Sequence, residues 1–175
     1  MLENLIWDEF YAQIPKQLDY DGTPVDLQVL RSNQVVDSIN YPALFVNFLD
    51  PVIDESNTPL NEILSIQLVD NPDGYEDVKY TKGVVLRQSI DLSLYDNDIK
   101  RITKFQNDLF LWAKKDLSLT DVAIFDVSPP RNLDFTEDEY IYRRNIEIIC
   151  KFTMTWDEIV TTIEEVEYST QAQQF

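Results

Sequence analysis

The chain has 175 residues, 14 of them Lys or Arg and 32 Asp or Glu, which gives a formal charge of −18, with no His, three Gly and one Cys. Without His there is no Ser–His or Cys–His triad and no His-ligated zinc; one Cys makes no internal disulfide or CxxC site, and three scattered Gly build no P-loop or dinucleotide fingerprint. The charge argues against a broad nucleic-acid-binding face, and no stretch reaches the roughly 18 apolar residues of a membrane span, nor does Met1 open a basic-then-apolar signal segment.

Leu2, Ile6, Phe10 and Ile14 recur every four residues, and Leu5, Trp7 and Tyr11 widen the stripe, so the spacing predicts a helix over residues 2–14 that Pro15 closes. A stripe on so short a helix is expected in the core, with docking on a neighbouring subunit as the alternative. Residues 19–24, with Gly22 and Pro24, read as a turn cluster. From Pro24 the period falls to two, and Val25, Leu27 and Val29 alternate with polar residues. Pro42 opens a nearly all-apolar run over 43–49, as expected of a strand covered on both faces. After a polar loop at 54–59, residues 62–69 read as a third strand, closed by a turn at 70–74. Residues 75–82 mix aromatic and charged side chains and read as a surface loop, with a hairpin arm or flexible contact loop as the alternative. Gly83 then precedes a long strand in which Val84, Leu86, Ile90, Leu92 and Leu94 point one way and Arg87, Ser89, Asp91 and Ser93 the other.

Asp96 or Asn97 is placed to cap a helix from about 98 to 115. Ile99, Ile102, Phe105, Leu109 and Trp112 form its stripe, and Lys114 and Lys115 oppose the negative helix end. A strand at 121–127 is broken by Ser128-Pro129-Pro130, and 132–138 reads as an acidic loop. Residues 139–156 then alternate throughout: Tyr140, Tyr142, Arg144, Ile146, Ile148, Cys150, Phe152, Met154 and Trp156 share one face, and Arg143, Asn145 and Glu147 lie on the other. Strands usually run about five or six residues, so this one is expected to extend past the domain body at one end. Residues 159–168 fit a helical stripe, but their β-branched content favours a strand. The order predicts an α+β fold: a mainly antiparallel or mixed sheet with an N-terminal helix and one long amphipathic helix (about 98–115) packed on one face. Residues 1–170 read as a single domain and 171–175 as a mobile tail.

Carboxylate pairs such as Asp19/Asp21, Asp70/Asp73 and Glu164/Glu165 sit in no recognisable catalytic motif and read as solvated surface. The turns at Asp70 and Asp19 lack the register of a calcium loop. Cys150, between Ile148 and Phe152 on its face, reads as a buried inert thiol. No catalytic, cofactor or metal residue is predicted. The candidate functional residues are subunit-interface ones: Tyr75, Tyr80, Tyr140, Tyr142, Arg143 and Arg144. For Arg144 a core-edge salt bridge and an intersubunit pair with a carboxylate stand as equal alternatives.

From Gly83 the strand GVVLRQSIDLSLYD runs into the helix NDIKRITKFQNDLFLWAKK. VAIFDVSPPRNLDF leads to the long strand YIYRRNIEIICKFTMTW with its adjacent arginines, IVTTIEEVEY follows, and YPALFVNFLDP lies upstream. This layout, over about residues 24–168, resembles the tail terminator (neck) proteins of tailed bacterial and archaeal viruses. The resemblance implies a structural, non-enzymatic virion protein, assembled in the host cytoplasm, that forms a homo-oligomeric ring, usually of six copies. Such a ring caps the tail tube, stops its polymerisation and joins it to the head connector, with genomic DNA passing through the lumen without specific binding. The partners implied are further copies of the chain, the tail tube protein and the connector or adaptor proteins, with no membrane and no cofactor. Competing readings are another virion component (head–tail joining, tail completion or baseplate), an acidic DNA mimic, and a carboxylate–metal enzyme.

Overall fold

The four-residue apolar spacing at the N-terminus is realised in α1 (Leu2–Gln13), which turns Ile6 and Phe10 into the core, with Ile14 following. The computed structural model describes residues 2–59, 62–70, 76–134 and 141–160. Two side chains tie α1 to the segment near residue 120: Glu9 accepts from the Thr120 backbone and hydroxyl at 3.0 Å, and Gln13 exchanges hydrogen bonds with the Ser118 backbone. The helix is therefore core of its own chain.

The expected turn cluster at 19–24 is a β-hairpin. β1 (Gln17–Tyr20) pairs antiparallel with β2 (Thr23–Asp26), leaving Asp21 and Gly22 as the loop. Their φ values of 52° and 80° are both left-handed, as a two-residue loop of the primed type requires, and Asp-Gly is a preferred pair for it.

The main sheet is organised on one strand. β3 (Gln28–Arg31) runs parallel to β4 (Ala43–Phe48), which follows a cis Tyr41–Pro42 peptide. β7 (Glu76–Asp96) takes β4, β5 (Val52–Ile53) and β6 (Ile63–Asp70) as antiparallel partners. It also neighbours β10 (Tyr142–Val160), which pairs with β8 (Ala123–Val127) and the short β9 (Arg131–Asn132). The chain is thus α+β, with a mixed, mostly antiparallel sheet.

Three expectations are corrected by this pairing. Residues 76–82, read as a surface loop, are strand, because β6 supplies a ladder for them. Gly83 therefore lies inside β7 rather than before it. The run at 43–49 is not covered on both faces: Ala43, Leu44 and Val46 are buried, whereas Asn47 is exposed. The other strand boundaries differ at their ends, with the last long strand running 142–160 rather than 139–156. The expectations at 71–75, 135–140, 161–168 and 171–175 lie outside the described residues.

α2 (Ile99–Lys115) follows β7. Its cap is Asp98, not Asp96 or Asn97: the Asp98 carboxylate accepts from the Lys100 and Arg101 backbone at 2.8 and 3.2 Å, satisfying two of the donors a helix start leaves free. Those bonds hold its carboxyl below the ordinary Asp range. Asp96 instead receives Arg101, with Nε at 2.7 Å.

Contacts divide the chain into two compact units, residues 1–53 with 86–152 and residues 54–85 with 153–175. In the first, Ile102, Phe105, Leu109 and Trp112 of α2 join Phe10 of α1 and the even-numbered sheet residues Leu44, Val46, Ile90, Leu92, Leu94, Ile146 and Ile148 in one core. Phe10 packs edge-on against both Trp112 and Phe48, with ring centroids 5.8 and 6.0 Å away, a favoured aromatic geometry. Cys150 is buried here, and burial pushes its thiol up to about 12.

The second unit is a β-arm built from β6, the first half of β7 and the far end of β10. Gly83 sits at a close approach: a Cβ there would meet Leu64 Cδ1 at 2.7 Å and the Met154 carbonyl oxygen at 2.9 Å. The carbonyl cannot rotate away as a side chain can. Gly83→Val is expected to destabilise the arm by about 1–3 kcal/mol, the usual cost of overpacking. Hydrogen exchange should quicken in β6 and residues 153–160 while α2 stays protected; unchanged β6 protection would refute this.

Candidate functional site

In the arm, β6 and β7 are in register with Ile66 opposite Tyr80, Gln67 opposite Lys79 and Leu68 opposite Val78. Paired residues share a face, so Ile66, Leu68, Val78 and Tyr80 lie on one side. Ion pairs extend the assignment to β10. Lys79 meets Asp157 at 2.8 Å, Thr81 donates to the same carboxylate at 2.9 Å, and Lys82 pairs with Glu158. Asp157 therefore shares the face of Lys79 and Thr81, and Glu158 that of Lys82. By strand alternation, Trp156 and Met154 then lie on the same side of the sheet as Ile66 and Leu68, across β7 from them.

The arm accordingly has a polar face (Gln67, Lys79, Thr81, Asp157) and a mainly apolar one that carries the Lys82–Glu158 pair. The apolar face is open: Ile66 is 60% exposed, Leu68 64%, Met154 52% and Trp156 39%. Lys79 and Lys82 are the only basic residues of residues 54–85 and 153–175, and both are used to neutralise carboxylates. Hydrogen bonds from Lys79 and Thr81 hold the Asp157 carboxyl below its ordinary range, and the Glu158 carboxylate raises the Lys82 ammonium. All four side chains are partly in water, so each pair adds little stability; their effect is to neutralise two of the carboxylates of this sheet, Asp157 and Glu158.

A second cluster covers the outer face of the main sheet in the first unit. Ser89 donates to Glu147 at 2.7 Å, and Arg131 lies 3.7 Å from the same carboxylate. Asp91 sits among these groups. Burial and the neighbouring Glu147 raise its carboxyl above the ordinary range, against the pull of Arg131 and Arg143. The folded chain thus holds this proton more readily than the unfolded chain does. Stability then falls as pH climbs from the ordinary Asp value of 3.8 through the raised one. Asp91→Asn removes that penalty: it is expected to raise the thermal midpoint at neutral pH, the gain vanishing below about pH 4. An equal gain at both pH values would contradict the assignment.

Of the sequence-predicted interface residues, Tyr75 and Tyr140 lie outside the described residues. Tyr80 is half-buried on the apolar face of the arm. Tyr142, Arg143 and Arg144 open β10 in the other unit. Tyr142 packs against the core. Arg143 donates to Ser93 Oγ at 3.2 Å and stacks its guanidinium over Tyr95, 5.5 Å from the ring centroid. Arg144, only 6% exposed, pairs with Asp134 and donates to Asn132 Oδ1 at 2.9 Å, which is the core-edge salt bridge. The side chains that sequence reasoning missed are Ile66, Leu68, Met154 and Trp156. A signal existed for the first two: residues 63–69 carry no charge in a chain where 26% of residues do.

Among the described residues, no group of three or more Cys, Asp or Glu is arranged to hold a metal ion, and no helix is long and apolar enough to cross a membrane. What stands out among the described residues is a small sheet with one mainly apolar face open, a feature that marks contact surfaces. The chain belongs to the phage neck terminator protein family, whose model matches residues 4–174. It is thus a structural protein of the phage tail and neck, a setting in which it meets other virion proteins. No curated protein matches it.

Proposed function

We propose that this chain is the subunit of a ring, of six copies, that caps the tail tube, stops its polymerisation and joins it to the head connector while DNA passes through the lumen. Residues 1–170 work as one terminator domain, with α2 as its long amphipathic helix on one face of the sheet. The ring assembles in the host cytoplasm and performs no bond-breaking. The observation that carries this reading is the open apolar face of the arm (Ile66, Leu68, Met154, Trp156) on a chain of the neck terminator family, since exposed apolar patches on soluble proteins mark contact surfaces. Tyr80 belongs to that face, and Tyr75, Tyr140, Tyr142 and Arg143 are proposed to line subunit contacts, with Arg144 bracing them through Asp134. The charge of −18 suits a channel, because carboxylates facing DNA phosphates repel rather than retain them.

Light scattering on the purified chain, alone and mixed with tail tubes, tests the reading. A particle of six subunit masses, seen at the tube end by electron microscopy, is the expected result. A strict monomer under both conditions would overturn it.

A further inference from the structure

We propose that the arm joins copies of this chain head to tail by strand addition, the free edge of β6 in one copy pairing with the free edge of residues 153–160 of β10 in the next. The inference rests on the ring assembly proposed above and names the surfaces that make it.

Both edges are open among the described residues. β6 pairs with β7 alone. β10 pairs with β8 and β9 no further along than Lys151, and its residues 153–160 are exposed. The two open edges flank β7 on opposite sides of one small sheet. An open edge presents a row of unpaired N–H and C=O groups, and proteins ordinarily protect it with Lys, Pro or a short strand. β6 has eight residues, reading ILSIQLVD, with no Pro and no basic residue; its register shift lies at the start, between Ile63 and Ser65, and residues 65–70 run regularly.

A second copy is the occupant this arrangement fits. A different partner protein would need one receptive edge; a head-to-tail interface between identical chains needs two different ones on each copy. At the two edges themselves charge is low: Lys79 and Lys82 pair with Asp157 and Glu158 on β10, and residues 63–69 of β6 carry no charge. Pairing the edges would also set Ile66 and Leu68 of one copy beside Met154 and Trp156 of the next, as all four lie on the same face.

The test uses two single variants of the full chain, Gln67→Cys on β6 and Thr155→Cys on β10, both exposed on the polar face of the arm. The native Cys150 is buried, with its thiol pushed up to about 12, so it does not compete. The variants, one carrying a size tag, are co-expressed and treated with a short bis-maleimide. The expected result is a shift to a two-chain band joining one tagged and one untagged copy, with each variant alone staying a single chain. Cross-linking of Gln67→Cys to itself would overturn the proposal in favour of a symmetric contact. Cross-linking to added tail-tube protein would overturn the choice of occupant. Absence of any two-chain band would overturn it too, including the case in which residues 161–175 of the same chain cover the edge. In that last case a six-subunit particle in light scattering leaves the ring reading standing; a strict monomer removes both.

Discussion

Arg101→Met is expected to lower the stability of the folded chain by about 3 kcal/mol, the low end of the cost of removing one partner of a buried ion pair. For a chain of this size that corresponds to a fall of roughly 10 °C in thermal midpoint. Asp96 is fully buried where β7 ends, and Arg101, in the first turn of α2, is largely buried beside it. The guanidinium grips the carboxylate with Nε and Nη2, and Nη2 also reaches Asn97 Oδ1 at 3.1 Å. A cation in the first turn opposes the helix dipole, so the position is held by this pair rather than by helix preference. Once Arg101 is gone, Asp96 keeps only the backbone N–H groups of Asn97 and Asp98, at 2.7 and 3.2 Å. Adding Asp96→Asn to Arg101→Met is expected to recover much of the loss, because the desolvated charge is then absent. Urea unfolding of the three variants checks this. A double variant less stable than Arg101→Met would show that the carboxylate is not the source of the cost.

Much of the first unit was legible because its patterns have a local cause. Ile102, Phe105, Leu109 and Trp112 recur at helical spacing, and the even residues of the two long strands alternate, so elements and inward faces follow from period alone. The adjacency of Arg143 and Arg144 likewise placed them on opposite faces. Their partners were not readable: Ser93, Tyr95, Asn132 and Asp134 meet them only through strand pairing. The choice of cap failed for a related reason. Asp96, Asn97 and Asp98 all suit the position by type, and what decides is that Asp96 is taken by Arg101. The β1–β2 hairpin was missed although Asp21-Gly22 is a strong signal, because β1 has four residues, of which only Leu18 is buried. In the arm, the strand at 62–69 was legible and a hairpin arm at 75–82 stood as the alternative; the gap was its open face. Alternation continues unbroken from Ile146 to Trp156, but burial stops after Cys150. Period reports which side chains share a face; it carries no information on whether anything covers that face.

That uncovered face sets the second large effect. Ile66→Asp with Leu68→Asp is expected to convert the proposed ring to single chains while leaving the folded subunit intact. Both side chains are more than half exposed in the isolated chain, so replacing them removes little folding stability. Burial of each in a contact would contribute about 2 kcal/mol, and its loss weakens every subunit–subunit equilibrium about 30-fold per side chain. The two new carboxylates add repulsion, since Lys79 and Lys82 are already engaged with Asp157 and Glu158. Phe125→Asp is the control: Phe125 is 61% exposed on β8, in the other unit, so it puts a carboxylate in place of an exposed apolar side chain away from the arm. Light scattering with circular dichroism separates the outcomes. Loss of the ring in the arm variant alone, with an unchanged spectrum, places the contact on β6. Equal loss in both variants would mean that added charge, rather than the apolar face of the arm, governs assembly.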